Sequence, residues 1–182
     1  NQFSNAVLWP AFHYRLDLVD FQRPSWDGYL RVNANLAKKL LPLIEPDDIL
    51  WIHDYHLLPF ASELRKLGVN NRIGFFLHIP FPTPEIFNAL PPHAELLEQL
   101  CDYDLLGFQT DNDRVAFLDS VSLQTRVVTR DGRRHEAWGK HFRTEVYPIG
   151  IDPDEIARSA KGPLPPKLAQ LKSELKGVKN IF

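Results

Sequence analysis

The sequence contains no methionine and a single cysteine, Cys101. One cysteine cannot form a disulfide within the chain, and this sparing use of cysteine fits a reducing compartment, so we expect a cytoplasmic protein. A natural gene product begins with methionine, whereas this sequence begins with Asn1. We therefore expect a fragment or a trimmed product, and residues 177–182, GVKNIF, indicate the beginning of a further strand.

Long apolar runs and a strong charge of either sign are also missing. No run approaches the roughly 20 apolar residues of a membrane-spanning helix. The net charge is −2 with the histidines neutral, which does not favour nucleic acid or an anionic membrane as a partner. Neither G-x-G-x-x-G nor the P-loop pattern occurs, so a nucleotide phosphate has no evident cradle in this chain.

The residues that are present predict a compact α/β protein. The chain has 182 residues, of which 44% are hydrophobic and 24% charged, so we expect one globular domain, or one and a fraction. Short apolar strands alternate with helical segments, which predicts a doubly wound, Rossmann-like, mostly parallel sheet with helices on both faces. The Asp131-Gly132 pair predicts a β-hairpin added at an edge of the sheet.

Two segments show how the apolar pattern predicts burial. Residues 25–44 carry apolar side chains every three or four positions, which predicts a helix capped by Ser25. Its predicted apolar face consists of Tyr29, Val32, Leu36, Leu40 and Leu43. Residues 49–52, ILWI, form a continuous apolar run, which predicts a strand covered on both faces.

Polar residues follow two of the predicted strands at their carboxyl ends. Asp54 follows the run ILWI, and His78 comes near the end of the strand predicted over residues 72–79. Ligands of open parallel sheets bind outside the carboxyl ends of the strands, so we expect Asp54 and His78 to face one crevice. A carboxylate there can accept hydrogen bonds from sugar hydroxyls. We expect His53 and Tyr55 to point away from Asp54 and to pack or support the site from behind.

The same residues also have simpler roles. Asp54 is placed to cap the next helix, and His78 to satisfy a buried carbonyl group. A metal site is disfavoured, because H-D-Y-H at 53–56 matches neither a helical H-E-x-x-H pattern nor an alternating ligand array on a strand.

Two further groups belong to the candidate site. Pro80, Pro82 and Pro84 predict a rigid turn after His78, and a cis peptide bond is one way to build it. Trp9 begins an aromatic group whose faces suit the C–H faces of sugars, although core packing is the commoner use of such residues. Four arginines are candidates to reach an anion, although solvated surface is their usual place: Arg15, Arg23, Arg31 and Arg72.

Five segments together resemble the trehalose-6-phosphate synthase family in its bacterial form. They are VLWPAFHY, WIHDYHLLPF, RIGFFLHIPFPTPEIF, DLLGFQT and VYPIGID, and they extend over nearly the whole chain in this order. The resemblance implies one part of a two-domain, retaining GT-B glycosyltransferase that needs no cofactor and no metal. Such an enzyme transfers glucose from UDP-glucose to glucose 6-phosphate and forms trehalose 6-phosphate.

The resemblance also implies roles for three residues. Asp54 matches the aspartate that holds the acceptor sugar, Trp9 the tryptophan near the acceptor phosphate, and His78 the histidine that contacts the transferred glucose. Residues 1–150 would then be a partial N-terminal, acceptor-side domain, and residues 151–182 a linker and the start of the nucleotide-sugar domain. A homo-oligomer is left open for the full-length enzyme.

The resemblance further implies that several functional groups lie outside this chain. The loop and arginine for the acceptor phosphate would precede Asn1, and the cations that neutralise the donor diphosphate would follow Phe182. We therefore expect the chain alone to be inactive. Two alternatives stay open: a GT-B transferase with another acceptor, and a non-catalytic relative that binds sugar phosphates.

Overall fold

The computed structural model describes residues 2–163 and 165–176, in which strands and helices alternate. The strands are β1 (Ile49–His53), β2 (Arg72–Phe76), β3 (Leu105–Phe108), β4 (Val128–Arg130), β5 (Arg134–Ala137) and β6 (Lys140–Val146). The helices are α1 (Trp9–Phe12), α2 (Arg23–Leu40), α3 (Phe60–Lys66), α4 (Pro84–Phe87), α5 (His93–Leu100), α6 (Asp111–Gln124), α7 (Pro153–Ala160) and α8 (Pro166–Glu174). A π-helix, Ser4–Leu8, leads directly into α1, and short 3₁₀ helices occupy Leu16–Leu18, Leu41–Leu43 and Tyr55–Leu57.

The six strands form one mixed sheet in the order β1-β2-β3-β6-β5-β4. Strands β1, β2, β3 and β6 pair in parallel, whereas β5 and β4 are antiparallel. The predicted fold class is therefore confirmed, and so is the hairpin at one edge of the sheet. Asp131 and Gly132 have φ values of 49° and 70°, the left-handed conformation that a two-residue hairpin turn needs.

Helix α2 begins earlier and buries a different face than the sequence predicts. Gln22 is its N-terminal boundary residue, and the Ser25 hydroxyl donates a hydrogen bond to the Gln22 carbonyl from within the first turn, so the capping role predicted for Ser25 is wrong. The predicted apolar face is also largely wrong, because Val32 is 63% exposed and Leu43 71% exposed. The buried face consists of Trp26, Tyr29, Asn33 and Ala37.

Two hydrogen-bonding residues explain which face of α2 is buried. The Tyr29 hydroxyl donates to the Tyr55 carbonyl and accepts from the Leu58 amide, at 2.8 and 3.2 Å. The Asn33 side-chain amide donates to the carbonyls of Tyr29 and His56. Backbone groups of a buried turn need such partners, so α2 turns these polar residues inward and holds the segment that follows β1.

Strand β1 is covered on one face only, which corrects the prediction for residues 49–52. Ile49 is 71% exposed and Trp51 45% exposed, whereas Ile52 is buried. β1 is the edge strand of the parallel part of the sheet, and alternate side chains point to opposite faces. The indole of Trp51 lies across Gly74 of β2, where a side chain on residue 74 would collide with the ring.

The chain divides into two compact units, Asn1–Pro148 and Ile149–Phe182. The first has an aromatic-rich core; its largest fully buried side chains include Trp26, Tyr103, Phe3, Phe12, Phe60, Phe75, Phe87 and Phe117. In the second, the Asp152 carboxylate caps α7 by accepting hydrogen bonds from the amides of Asp154 and Glu155. The strand predicted at 177–182 lies outside the described residues.

Within the described ranges, no helix combines the length and the apolar character that crossing a membrane requires.

Candidate functional site

Asp54 and the start of the loop that carries His78 lie at the carboxyl ends of β1 and β2, two adjacent parallel strands. His53 pairs with Phe76 in the last step of the β1–β2 ladder, and the Asp54 amide donates to the Phe76 carbonyl at 2.9 Å. Asp54 therefore comes directly after the ladder, and His78 two residues beyond the end of β2. Asp54 is half-buried and His78 is exposed.

Asp54 has an unusual backbone conformation, with φ 72° and ψ 167°. Residues other than glycine rarely adopt this region, which typically costs roughly 1–3 kcal/mol and clusters at functional sites. Its carboxylate accepts a hydrogen bond from the Tyr55 amide at 3.0 Å and so caps the 3₁₀ helix Tyr55–Leu57. The simpler capping role is therefore real, but it uses only Oδ1, and no hydrogen bond from the described residues reaches Oδ2. Asp54 keeps acceptor capacity for a ligand.

The imidazoles of His53 and His78 contact each other directly. Nδ1 of His53 lies 2.9 Å from Nε2 of His78, and the ring centroids are 5.2 Å apart. His78 thus bonds to another histidine rather than to a buried carbonyl. His53 is exposed, so it is not part of the core, and its ring contacts those of Trp51 and His78.

The sequence contained a signal for this histidine pair. Because His53 pairs with Phe76 across the ladder, the two side chains lie on the same face. His78 is two residues beyond Phe76, and alternation returns its side chain to that face if the chain stays extended. Pairing register, rather than proximity to Asp54 along the chain, identifies His53 as a neighbour of His78.

Trp9 borders the same region through its contact with Tyr55. The Trp9 ring lies 5.6 Å from the Tyr55 ring and 4.0 Å from the His13 ring, and 45% of Trp9 is exposed. Nδ1 of His13 lies 2.7 Å from the Trp9 carbonyl oxygen. Tyr55 itself is buried, and burial, together with the negative charge of Asp54, raises the pKa of its phenol. Trp9 therefore offers a partly exposed aromatic face that contacts Tyr55, the residue after Asp54.

The proline-rich loop after His78 is fixed at two backbone amides. The Phe81 amide donates to Asp113 at 3.0 Å, and the Thr83 amide donates to the Tyr14 hydroxyl at 3.1 Å. Asp113 also forms a capping box with Thr110. No peptide bond among the described residues is cis, so the turn is built from trans prolines.

Two of the four candidate arginines form ion pairs at the surface. Arg15 and Arg23 form surface ion pairs with Asp17 and Asp27, at 2.8 and 3.0 Å. Among the described residues, no group of three or more histidine, cysteine or acidic side chains is arranged to hold a metal ion. The rim therefore offers a carboxylate, two imidazoles and an aromatic face, which are groups that bind hydroxylated ligands.

An α/β sheet with polar side chains at the carboxyl ends of adjacent parallel strands defines a ligand-binding domain of the doubly wound class. The family model described as "Glycosyltransferase family 20" matches residues 1–182, and the chain belongs to this family. The resemblance seen in the sequence is thereby confirmed.

Close relatives and solved structures agree with this assignment. Trehalose-6-phosphate synthases of Klebsiella pneumoniae subsp. pneumoniae and Salmonella paratyphi B are 84% identical over 182 residues and 83% identical over 181 residues. Each alignment covers 100% of this chain and 38% of the relative, so the chain spans well under half of their length.

Two solved structures that match this chain are described with a bound ligand. One, described as "Trehalose-6-phosphate from E. coli bound with UDP-2-fluoro glucose", has 81% identity and a TM-score of 0.89 over 100% of this chain and 40% of its own. The other is an alpha,alpha-trehalose-phosphate synthase (UDP-forming) from Burkholderia xenovorans in complex with glucose-6-phosphate. It has 51% identity and a TM-score of 0.86 over 96% of this chain and 39% of its own.

Proposed function

We propose that this chain is the acceptor-side part of a trehalose-6-phosphate synthase (UDP-forming). The whole enzyme would transfer glucose from UDP-glucose to the anomeric hydroxyl of glucose 6-phosphate, releasing UDP and forming trehalose 6-phosphate with retention. Residues 1–150 would belong to the acceptor-side domain, and residues 151–182 to the linker and the start of the nucleotide-sugar domain. A cytoplasmic location and a homo-oligomeric state stay predictions for the whole enzyme.

In this proposal the rim residues bind and orient sugars. Oδ2 of Asp54 accepts hydrogen bonds from hydroxyl groups of the acceptor glucose, since Oδ1 is already used by the Tyr55 amide. Trp9 places its exposed ring near the acceptor phosphate, and His78 contacts the transferred glucose at the junction of donor and acceptor. Neither Asp54 nor His78 acts as a nucleophile.

The proton and the charge of the reaction would be handled outside these residues. The acceptor hydroxyl attacks the donor carbon on the face from which UDP leaves, and the leaving phosphate takes the proton of that hydroxyl. Negative charge builds on the diphosphate as the bond breaks, and preorganised cations would stabilise it. Among the described residues, no lysine or arginine forms a hydrogen bond or an ion pair with Asp54 or His78.

The conformation of Asp54 is the single observation that carries the proposal. Asp54 has a strained backbone conformation at the carboxyl end of a strand, and its carboxylate keeps an oxygen that no hydrogen bond from the described residues uses. It follows His53, whose imidazole contacts His78, and precedes Tyr55, whose ring contacts Trp9. A purely structural cap would not need a strained residue, because Ser, Asn or Asp in an ordinary extended conformation can cap a helix without this free-energy cost. The 84% identity to a named synthase gives this rim its proposed substrates.

The test uses a grafted enzyme, in which this chain replaces the matching 182 residues of the Klebsiella relative. We expect the grafted enzyme to transfer radiolabelled glucose from UDP-glucose to glucose 6-phosphate, and the isolated chain to transfer none. The isolated chain cannot align two substrates or stabilise the departing diphosphate, and loss of one such donor alone costs about 10²–10³ in rate.

Transfer to other acceptors and binding of sugar phosphates complete this test. Transfer by the grafted enzyme to free glucose or fructose in preference to glucose 6-phosphate would indicate a different acceptor. Binding of sugar phosphates without any transfer would indicate a regulatory relative. Turnover by the isolated chain would contradict the division of the site between two domains.

A further inference from the structure

The direct hydrogen bond between His53 and His78 suggests a role for His53 that is separate from sugar binding. We infer that His53 is a positioning residue, whose imidazole fixes the ring orientation and tautomer of His78. The inference rests on the proposed function, in which His78 contacts the transferred glucose. It adds a residue that lies behind His78 rather than against the substrate.

A hydrogen bond between two imidazole nitrogens requires one proton between them. At 2.9 Å, either Nδ1 of His53 or Nε2 of His78 carries this proton, and the other nitrogen accepts it through its lone pair. When both rings are neutral, each has one N–H group. The proton position between the rings therefore decides whether the outer nitrogen of each ring is a donor or an acceptor.

The outer nitrogens of the two rings then have opposite characters. If His53 donates, Nδ1 of His78 carries a hydrogen and Nε2 of His53 is an acceptor. If His78 donates, Nδ1 of His78 is an acceptor and Nε2 of His53 carries a hydrogen. No hydrogen bond from the described residues reaches Nδ1 of His78, so this atom is available to a ligand. His53 thus determines which hydrogen bond His78 can make with a sugar hydroxyl.

Aromatic contacts hold both rings in place. The Trp51 ring meets the His53 ring edge to face at 5.7 Å and 89°, and the Phe76 ring meets the His78 ring at 4.8 Å and 77°. His53 also belongs to β1, whose backbone is fixed by the ladder to β2. His78, by contrast, lies in the loop beyond β2, so the contact with His53 couples an exposed loop side chain to the sheet.

Substitution of His53 by asparagine and by glutamine separates positioning from general packing. The asparagine amide lies near the position of the imidazole Nδ1, whereas the glutamine amide lies near that of Nε2. Because Nδ1 makes the bond, we expect His53→Asn to preserve it and His53→Gln to lose it. His53→Leu removes all hydrogen bonding, and His141→Leu, on an exposed histidine at the amino end of β6, serves as a matched control.

The first measurement uses the 182-residue chain and needs no activity. Long-range ¹⁵N–¹H NMR of the histidine rings, at a pH where they are neutral, reports the tautomer of His78. We expect one tautomer in the native chain, in His53→Asn and in His141→Leu, and averaged nitrogen shifts in His53→Leu and His53→Gln. Identical His78 spectra in all five proteins would overturn the inference.

The second measurement uses kinetics of the grafted enzyme. We expect His53→Leu and His53→Gln to lower kcat by about 10- to 100-fold, as misplaced contacts do, with little change in KM for glucose 6-phosphate. His53→Asn should stay within about threefold of the native rate, since it keeps the bond. Equal losses in His53→Asn and His53→Gln would mean that His53 has only a structural role.

A further variant separates this inference from the proposed function. If His78→Ala keeps the full transfer rate, His78 has no part in the reaction and its proposed role fails, while the NMR result still decides whether His53 orients it. If His78→Ala is impaired and all His53 variants are normal, the proposed function stands and the positioning role is refuted.

Discussion

At the scale of single residues, Asp54 combines a backbone conformation that destabilises the fold with a proposed role in binding the acceptor sugar. Its φ of 72° and ψ of 167° lie in a region that only glycine adopts readily. Its carboxylate offsets part of this cost by capping the 3₁₀ helix that follows. The carboxylate is retained where glycine would be more stable, and we attribute this to binding of the acceptor sugar.

This account predicts that Asp54→Gly stabilises the chain. Glycine relieves the strain, worth roughly 1–3 kcal/mol, and loses only a few tenths of a kcal/mol as a cap, so the free energy of unfolding should rise by about 1 kcal/mol. Asp54→Ala keeps the strain and loses the cap, and it should destabilise by about 1 kcal/mol. Urea unfolding measures both. A glycine variant less stable than the native chain would show that the backbone of residue 54 is not strained.

At the scale of elements, the hairpin contains a histidine that contributes to the fold and not to the rim. His135 of β5 is buried, with Nδ1 lying 3.0 Å from the Thr129 hydroxyl and Nε2 2.9 Å from the Thr144 hydroxyl. Burial, followed by the positive charge of Arg114, lowers the pKa of His135, and the charge of Asp131 partly opposes this. Burial therefore disfavours the charged imidazolium of His135 in the folded state.

The lowered pKa of His135 makes the stability of the first unit dependent on pH. Between the folded pKa of His135 and its unfolded pKa of about 6.5, the unfolded chain binds a proton that the folded chain does not. The free energy of unfolding should therefore fall as the pH decreases from about 6.5 toward the folded pKa of His135. Above a pH of about 6.5, His135 is neutral in both states and its effect on the free energy of unfolding should not change with pH. Urea unfolding at several pH values should show a smaller acid loss in His135→Gln than in the native chain. An equal loss in both proteins would contradict this assignment.

The elements also show what the sequence could predict. Alternation of apolar strands and helices predicted the mostly parallel sheet, and the Asp131-Gly132 pair predicted the hairpin, because these depend on local pattern and turn chemistry. The buried face of α2 was missed because Asn33 is polar, yet it is buried to satisfy the carbonyl of His56. Such a pairing depends on which segments meet in the fold, and periodicity carries no information about it.

At the scale of the whole molecule, the position of Asp54 at the carboxyl rim followed from a rule about parallel sheets. The sequence could not predict that one face of β1 is exposed, because an apolar strand at a sheet edge has the same sequence pattern as one in the centre. The bond between His53 and His78 required the strand register, since it joins residues 25 apart in sequence. Position in the sheet, more than residue type, decides which polar groups meet.

The substitution Asp54→Asn in the grafted enzyme tests the central claim most directly. Asparagine is isosteric with aspartate and can cap, so it leaves the backbone strain of residue 54 unchanged, but it removes the charge that accepts hydrogen bonds from the acceptor. A lost hydrogen bond to a charged group costs about 1.5–3 kcal/mol, so KM for glucose 6-phosphate should rise by about 10- to 100-fold. KM for UDP-glucose should change by less than about twofold, because the proposal places no donor contact on Asp54. An unchanged KM for glucose 6-phosphate, or an equal rise for both substrates, would contradict the assignment of this rim to the acceptor.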